Sequence, residues 1–401
     1  MKKRLDSGFT GIAGAAASAG RLATCCAIIV FSCAFDWKPK PVPQVKADLA
    51  AYARGVGETE LADAVENAAS TAEWMRLAFK RGEELLKESA GGDFDDKKRM
   101  HGLRIIDYPL HIDNNNEDTA PEDARVYREV VCDYYASARD RVFAEVAAAK
   151  VPKGGLRLWL VYNMGYIMKG SEHTVAIDIT DHPVFFDYDG QVRMPDRKNM
   201  VWRSKDWKRL TELVDILFVT HPHRDHYCRA CVEAFAAAGK PVVAPCDLVK
   251  GVACVKLAED HLEPVDVGGV KVRNFLGNQG KKVPCNVYLI DIDGVTVADN
   301  GDNGDIAKER MLAKCPPADV IIASTWNRVK EMVKSCAAAP GFDHAKSVLL
   351  PSHQNELGHR VQQRESYWEM YERKDRLGDR TFRWPRVHPL GHGESFVVRP
   401  R

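Results

Sequence analysis

The sequence predicts an α+β chain, a helical N-terminal section followed by a strand-rich region that carries its chemistry at strand ends. Three observations support this. Stretches rich in Ala, Glu, Arg and Leu fill the chain before Pro152. From Leu156 the pattern switches to short β-branched and aromatic runs, meandering at first and later alternating with helix-like segments. Behind one such run, "FVTHPHRDHY" (Phe218 to Tyr227) packs His221, His223, Asp225 and His226 into a single turn.

With 401 residues, 45% hydrophobic content and a net charge of +1, the chain is globular and long enough for one large domain plus an appendage. No fixed-period repeat marks a solenoid.

The first segment, residues 1–33, reads as a signal peptide. A basic, small-residue opening precedes "LATCCAIIVFSC", an apolar core too short for a membrane span. "VFSC" resembles a bacterial lipoprotein cleavage box, which makes Cys33 the candidate lipid-bearing residue and a lipid anchor the expected membrane contact. Export to the periplasm or a membrane-anchored lipoprotein is the expected destination, with a cytoplasmic protein the alternative if the leader is no signal. Lys2, Lys3, Arg4 and Arg21 against Asp6 give residues 1–33 a net +3, so the remainder carries −2. Such a chain lacks the basic field that nucleic-acid binding needs.

Residues 34–152 form the helical extension. In "APEDARVYREVVCDYYASARDRVFAEVAAAK" apolar residues recur at Val126, Val130, Tyr134, Ala138, Val142 and Val146. Thr119 as N-cap, Pro121 in the first turn and Glu122 make a capping box, and "PKGG" at Pro152 to Gly155 ends the helix. The extension is expected to support the following domain and to stand beside its site.

Residues 153–401 hold the strands. "LRLWLVYN", "TVAIDIT" and "PVFFDYD" precede the helix-like "SKDWKRLTELV" and the strand "VDILFV". After the His-rich loop come "KPVVAP", "VKVRNFLG", "VYLIDIDG", "VTVADN", "ADVIIAST", "KSVLLPSH" and "ESFVVRP". His221 and His223 sit at i and i+2, so in extended chain both rings point to one side, with Pro222 stiffening the link. Asp225 and His226 follow where the chain turns into the helix "CRACVEAFAAAG". Neutral imidazole is the commonest metal ligand, and three with a carboxylate in one loop point to a metal pair.

This H-x-H-x-D-H loop resembles that of the metallo-β-lactamase-fold hydrolases, and the similarity extends from about Leu156 to the C-terminus. The resemblance implies a four-layer αββα sandwich, with Asp302 in "ADNGDN" as the carboxylate bridging two metals and His353 in "LLPSHQ" as the last ligand. The metal set is then His221, His223, Asp225, His226, Asp302 and His353, holding two Zn²⁺ ions, with Mn²⁺ or Fe²⁺ as alternatives. A histidine usual in the family between the loop and the bridging aspartate is missing. At that place the chain reads Asn278 and Gln279, and an amide oxygen stands in for it, while His261 reads as a surface residue. "HQNELGHRVQQRESYWEMYER" and "GHGESF" loosely resemble the ascorbate-6-phosphate lactonase-like branch.

The implied function is a metal-dependent hydrolase that uses a metal-bound hydroxide on a small ester, lactone or phosphoester. The pKa of such a water falls to about 7. Asp225 orients or deprotonates the nucleophile, and His359 is the candidate proton donor. Lys281 and Lys282, in the loop of the missing histidine, suit an anionic small-molecule substrate. The alternative is a non-catalytic surface binding protein with a degenerate metal centre. "CRAC", Cys228 to Cys231, has redox-motif spacing without thioredoxin-like surroundings, so its thiols read as buried small hydrophobes.

Overall fold

The computed structural model describes residues 40–89, 91–112, 121–181, 185–186, 192–193, 201–280, 282–326, 328–357, 361, 364–372, 377 and 381–400. The expected signal peptide with Cys33 lies outside the described residues, as do Thr119, Lys281 and His359. Residues 37–401 make one compact unit.

Five helices come first: α1 (Val42–Gly55), α2 (Thr59–Asn67), α3 (Thr71–Glu88), α4 (Lys97–Leu110) and α5 (Pro121–Ala148). The stretch from Glu58 to Ser89 divides into two helices because Ser70 caps the second one. Its side chain accepts from the Glu73 amide at 3.3 Å, while the Glu73 carboxylate takes the Ala69 amide at 2.7 Å. Sequence reasoning missed α4. Its residues from Gly102 to Leu110 are all buried, so no polar face generates a helical period. Gly82 and Gly102 let α3 and α4 touch backbone to backbone, since a Cβ on either would lie 2.9 Å from the other's carbonyl oxygen.

The strands follow as β1 (Leu156–Tyr162), β2 (Gly165–Lys169) and β3 (Thr174–Ile177), then the small hairpin β4 (Phe185–Phe186) and β5 (Val192–Arg193). Helix α6 (Ser204–Leu213), β6 (Ile216–Phe218), α7 (Arg229–Ala237), β7 (Val242–Ala244) and β8 (Val255–Lys256) complete the first half. The second half runs β9 (His261–Val267), β10 (Val270–Gln279), β11 (Val283–Ile292), β12 (Val295–Asp299), α8 (Ile306–Glu309), β13 (Val320–Ser324), α9 (Val329–Ala337), β14 (Val348–Ser352), α10 (Tyr367–Glu372), β15 (Arg386–Val387) and β16 (Ser395–Val398).

Two seven-stranded mixed sheets result, ordered β16-β1-β2-β3-β6-β7-β8 and β15-β14-β13-β12-β11-β10-β9. Alternation along the strands builds three apolar layers. Leu158, Tyr166, Met168 and Phe218 of the first sheet meet Val272, Tyr288, Ile290 and Leu350 of the second. On the outer face of the first sheet, Trp159, Val161, Ile167 and Leu217 join residues of α1 to α7. Behind the second sheet, Leu289, Ile321 and Leu349 pack with Met332 and Val333 of α9 and Met370 of α10. The expected αββα sandwich is thus observed, and the N-terminal helices belong to one of its outer layers.

Buried arginines tie those helices to the rest of the domain. Arg99 of α4, fully buried, holds Glu394 with two bonds of 2.9 and 3.0 Å and the Pro389 carbonyl at 2.6 Å. Arg139 of α5 holds Asp206 of α6 at 2.9 Å. Among the described residues no helix is long and apolar enough to cross a membrane.

Candidate metal centre

The parallel pairings β3-β6 and β12-β13-β14 bring the carboxyl ends of these strands to one rim. The loops there carry Asp178, Thr220 to His226, Asn300 to Asp302 and His353. Asp178, one residue beyond β3, organises the His-rich loop. It accepts the Thr220 amide at 2.8 Å and the Thr220 hydroxyl at 2.6 Å, and it pairs with Nδ1 of His226 at 2.7 Å. Holding the Nδ1 proton leaves Nε2 of His226 as a free lone pair. Thr220 Oγ1 lies 3.1 Å from Nδ1 of His221 and directs that ring similarly.

Asp302 is set by a turn that only glycine can make. Gly301 has φ +47°, and a Cβ there would meet the Thr220 hydroxyl at 2.5 Å. Its amide donates to Asp299 at 2.8 Å. Both Asp302 oxygens have partners: Ser324 Oγ donates to Oδ1 at 2.8 Å and Gln279 Nε2 to Oδ2 at 2.9 Å.

His353 leaves β14 in the left-handed region at φ +80°, followed by Asn355 at +56°. Such backbone persists in non-glycine residues only where the surroundings hold it. The His353 amide donates to the Asn163 carbonyl at 3.4 Å, and Asn163 Nδ2 donates to the Asp225 carbonyl at 3.1 Å. Asn163 therefore braces both ligand loops. From α4, Asp107 accepts Asn355 Nδ2 at 2.9 Å and the Tyr367 and Trp368 amides at 3.1 and 3.0 Å. The helical extension thus grips the loop that carries His353.

Asp225, His226, Asp302 and His353 close into one cage whose ligand atoms lie within 4.8 Å of one another. Asp225 Oδ2 is 3.3 Å from Nε2 of both His226 and His353. Asp302 Oδ2 is 3.5 Å from His226 Nε2 and 3.3 Å from His353 Nε2. Metal–ligand bonds of roughly 2.0–2.1 Å imply tetrahedral edges of about 3.3–3.4 Å, so the four His–carboxylate separations match donors that share a single ion. The buried Nε2 atoms of His226 and His353 have no well-directed hydrogen bond, which agrees with lone pairs aimed at a cation.

The electrostatics agree. Burial alone pushes the Asp302 and Asp225 carboxyls up, but the adjacent His353 and His226 imidazoles override it and hold both well below the usual range. Burial also disfavours charge on His353, yet Asp302 and Asp225 raise it to about 10, and His226 rises likewise beside Asp225, Asp178 and Asp302. A cage that stabilises added positive charge this strongly suits a divalent cation in place of the protons.

Not every expected ligand joins the cage. Among the described residues, His221 and His223 belong to no group of three His, Cys, Asp or Glu donors. Their rings lie 4.7 Å apart, and the His221 ring is 4.0 Å from that of His226. Nε2 of His221 is buried without a hydrogen bond. Burial keeps His221 neutral, with the neighbouring His226 adding to the effect. His261 opens β9 opposite Asn274 and belongs to no such donor group among the described residues, and Lys282 is exposed. Cys228 caps α7, its Sγ accepting from the Cys231 amide at 3.3 Å, and burial raises its pKa, the opposite of a reactive thiol.

Sequence reasoning missed Asp178, Asn163, Asp107, Ser324 and Trp326. Asp178 had a signal, an acid closing the apolar run "TVAIDIT". The other four carry no local signature. Trp326 is 38% exposed, with its ring 5.5 Å from that of His353.

No protein-family model and no functionally curated protein matches this chain. Solved structures do. Igni18, a metallo hydrolase of Ignicoccus hospitalis, is similar at 16% identity and a TM-score of 0.41 over 61% of this chain and 98% of its own. The metallo-β-lactamase-fold protein YhfI of Bacillus subtilis gives 13% identity and a TM-score of 0.40, with 61% and 100% covered. CmlA, a diiron β-hydroxylase of Streptomyces venezuelae, gives 14% and 0.40, with 62% of this chain and 55% of that one.

Proposed function

We propose that this chain is a metal-dependent hydrolase of the metallo-β-lactamase type, acting on a small ester, lactone or phosphoester. One observation carries the reading: a cage of two imidazoles and two carboxylates, sized for one ion, at the rim of the αββα sandwich. Asp225 is its most accessible member at 17% side-chain exposure, against 0%, 8% and 1% for His226, Asp302 and His353, so water and substrate arrive on the Asp225 side.

When bound, a divalent ion supplies Lewis acidity and lowers the pKa of a coordinated water to about 7. The mixed imidazole and carboxylate set suits Zn²⁺, Mn²⁺ or Fe²⁺. The chain's own residues do the rest. Asp225 orients the attacking water and takes its proton on Oδ1. Asp178 holds the His226 tautomer, and Ser324 holds the Asp302 carboxylate. Trp326 offers an apolar wall to the substrate, exposed Lys282 and Arg224 favour an anionic one, and His359 returns a proton to the leaving group. The leader sequence supports export, with Cys33 as the lipid-anchor candidate.

The test uses the full chain, with Zn, Mn and Fe quantified by elemental mass spectrometry beside assays on lactones, phosphodiesters, thioesters and β-lactams. Bound metal with turnover that Asp225→Ala and His226→Ala abolish is the expected result. Absence of both, even after Zn²⁺ or Mn²⁺ is added, would leave a binding protein that keeps the fold without the chemistry.

A further inference from the structure

We infer that the centre holds one divalent ion tightly, not two, and that Gln279 is the residue that makes it mononuclear. This count depends on the metal-centre reading above and deepens it.

A dinuclear centre needs a second donor set beside the first, sharing Asp302. His221 and His223 are in place for it, close to His226. Beside Asp302, at the end of β10 in the same sheet as β12, stands a residue with a further donor atom to offer. That residue is Gln279, whose Nε2 sits 2.9 Å from Asp302 Oδ2 while its Oε1 is buried without a hydrogen bond. With Nε2 towards Asp302, the amide places a hydrogen-bond donor against the oxygen that a second ion would have to share. Turned the other way, it offers a neutral amide oxygen, a harder donor than imidazole.

Asp302 is the second constraint. Its Oδ2 already forms two edges of the cage, with His226 and His353, and its Oδ1 accepts the Ser324 hydroxyl at 2.8 Å. A bridging carboxylate would have to give up one of these neutral partners. The second position is left with two imidazoles and a contested carboxylate, the first with two imidazoles and two carboxylates whose four His–Asp separations are 3.3–3.5 Å. Charge count and geometry both favour the cage of Asp225, His226, Asp302 and His353.

The experiment is metal stoichiometry, by elemental mass spectrometry after dialysis and by calorimetric titration with Zn²⁺, on the full chain and on Gln279→His, Gln279→Ala and His221→Ala. The expected results are one tight equivalent in the native chain, Gln279→Ala and His221→Ala, with any second equivalent roughly 100-fold or more weaker. Gln279→His gains a second tight equivalent, and adding His221→Ala to it removes that equivalent again. Circular dichroism confirms that each variant is folded, and Gln279→Ala against the native chain reads the count even where Gln279→His fails to fold. Two tight equivalents in the native chain would overturn the proposal and leave the hydrolase reading intact. One equivalent in a folded Gln279→His would overturn the role of Gln279. No bound metal in any form would sink this proposal and the metal-centre reading together.

Discussion

Asp178 lies 2.7 Å from Nδ1 of His226, an acceptor placed directly behind the imidazole whose other nitrogen faces the cage. Both side chains are fully buried, so the contact is unscreened by solvent. Besides orienting the ring, the carboxylate makes Nε2 a better donor.

Asp178→Ala is therefore expected to weaken metal binding by about 10–100-fold while leaving the four cage residues in the chain. Competition titration against a chromophoric chelator measures it. An unchanged dissociation constant in a folded variant would mean that the contact is structural only.

Asp107 joins the helical extension to Asn355 of the His353 loop and to the first turn of α10, accepting three hydrogen bonds. Asp107→Ala leaves two buried donors and one partly buried donor without an acceptor and is expected to cost about 2–3 kcal/mol or more. Urea unfolding checks the loss, and metal titration checks a second consequence, weaker binding as His353 loosens. A loss under about 1 kcal/mol would show that the loop holds itself.

His392 sits among the rings of Tyr135, Tyr162 and Tyr367, and burial lowers its pKa to about 3. The unfolded chain binds a proton there at about pH 6.5, and the folded chain does not. Its contribution is fully present above pH 6.5 and is lost as pH falls toward 3. Relative to His392→Phe, the native chain should lose about 1.4 kcal/mol per pH unit across that window. Parallel stability curves for the two proteins between pH 7 and pH 4 would refute the assignment.

Much of the site was legible because its chemistry is local in sequence. His221, His223, Asp225 and His226 share one loop, and their spacing points to metal ligation, although of these only Asp225 and His226 join the cage. Strand β12 ending near Asp302 and β14 ending at His353 could be read from short apolar runs followed by polar residues. Helix α4 escaped notice for the opposite reason. Buried throughout from Gly102 to Leu110, it shows no alternation of apolar and polar residues there, and Pro109 near its end reads as a break.

By itself, then, the sequence determined the fold class, the strand ends and the donor-rich loop at one of them, because each depends on residues that are neighbours in the chain. The tertiary structure alone decided which donors come within reach of one another. Asp107 meets Asn355 across 248 positions, Gln279 meets Asp302 across 23, and Asn163 meets Asp225 across 62. Such contacts follow from how two sheets and a helical layer pack around a common core, and no periodicity in the chain encodes that packing.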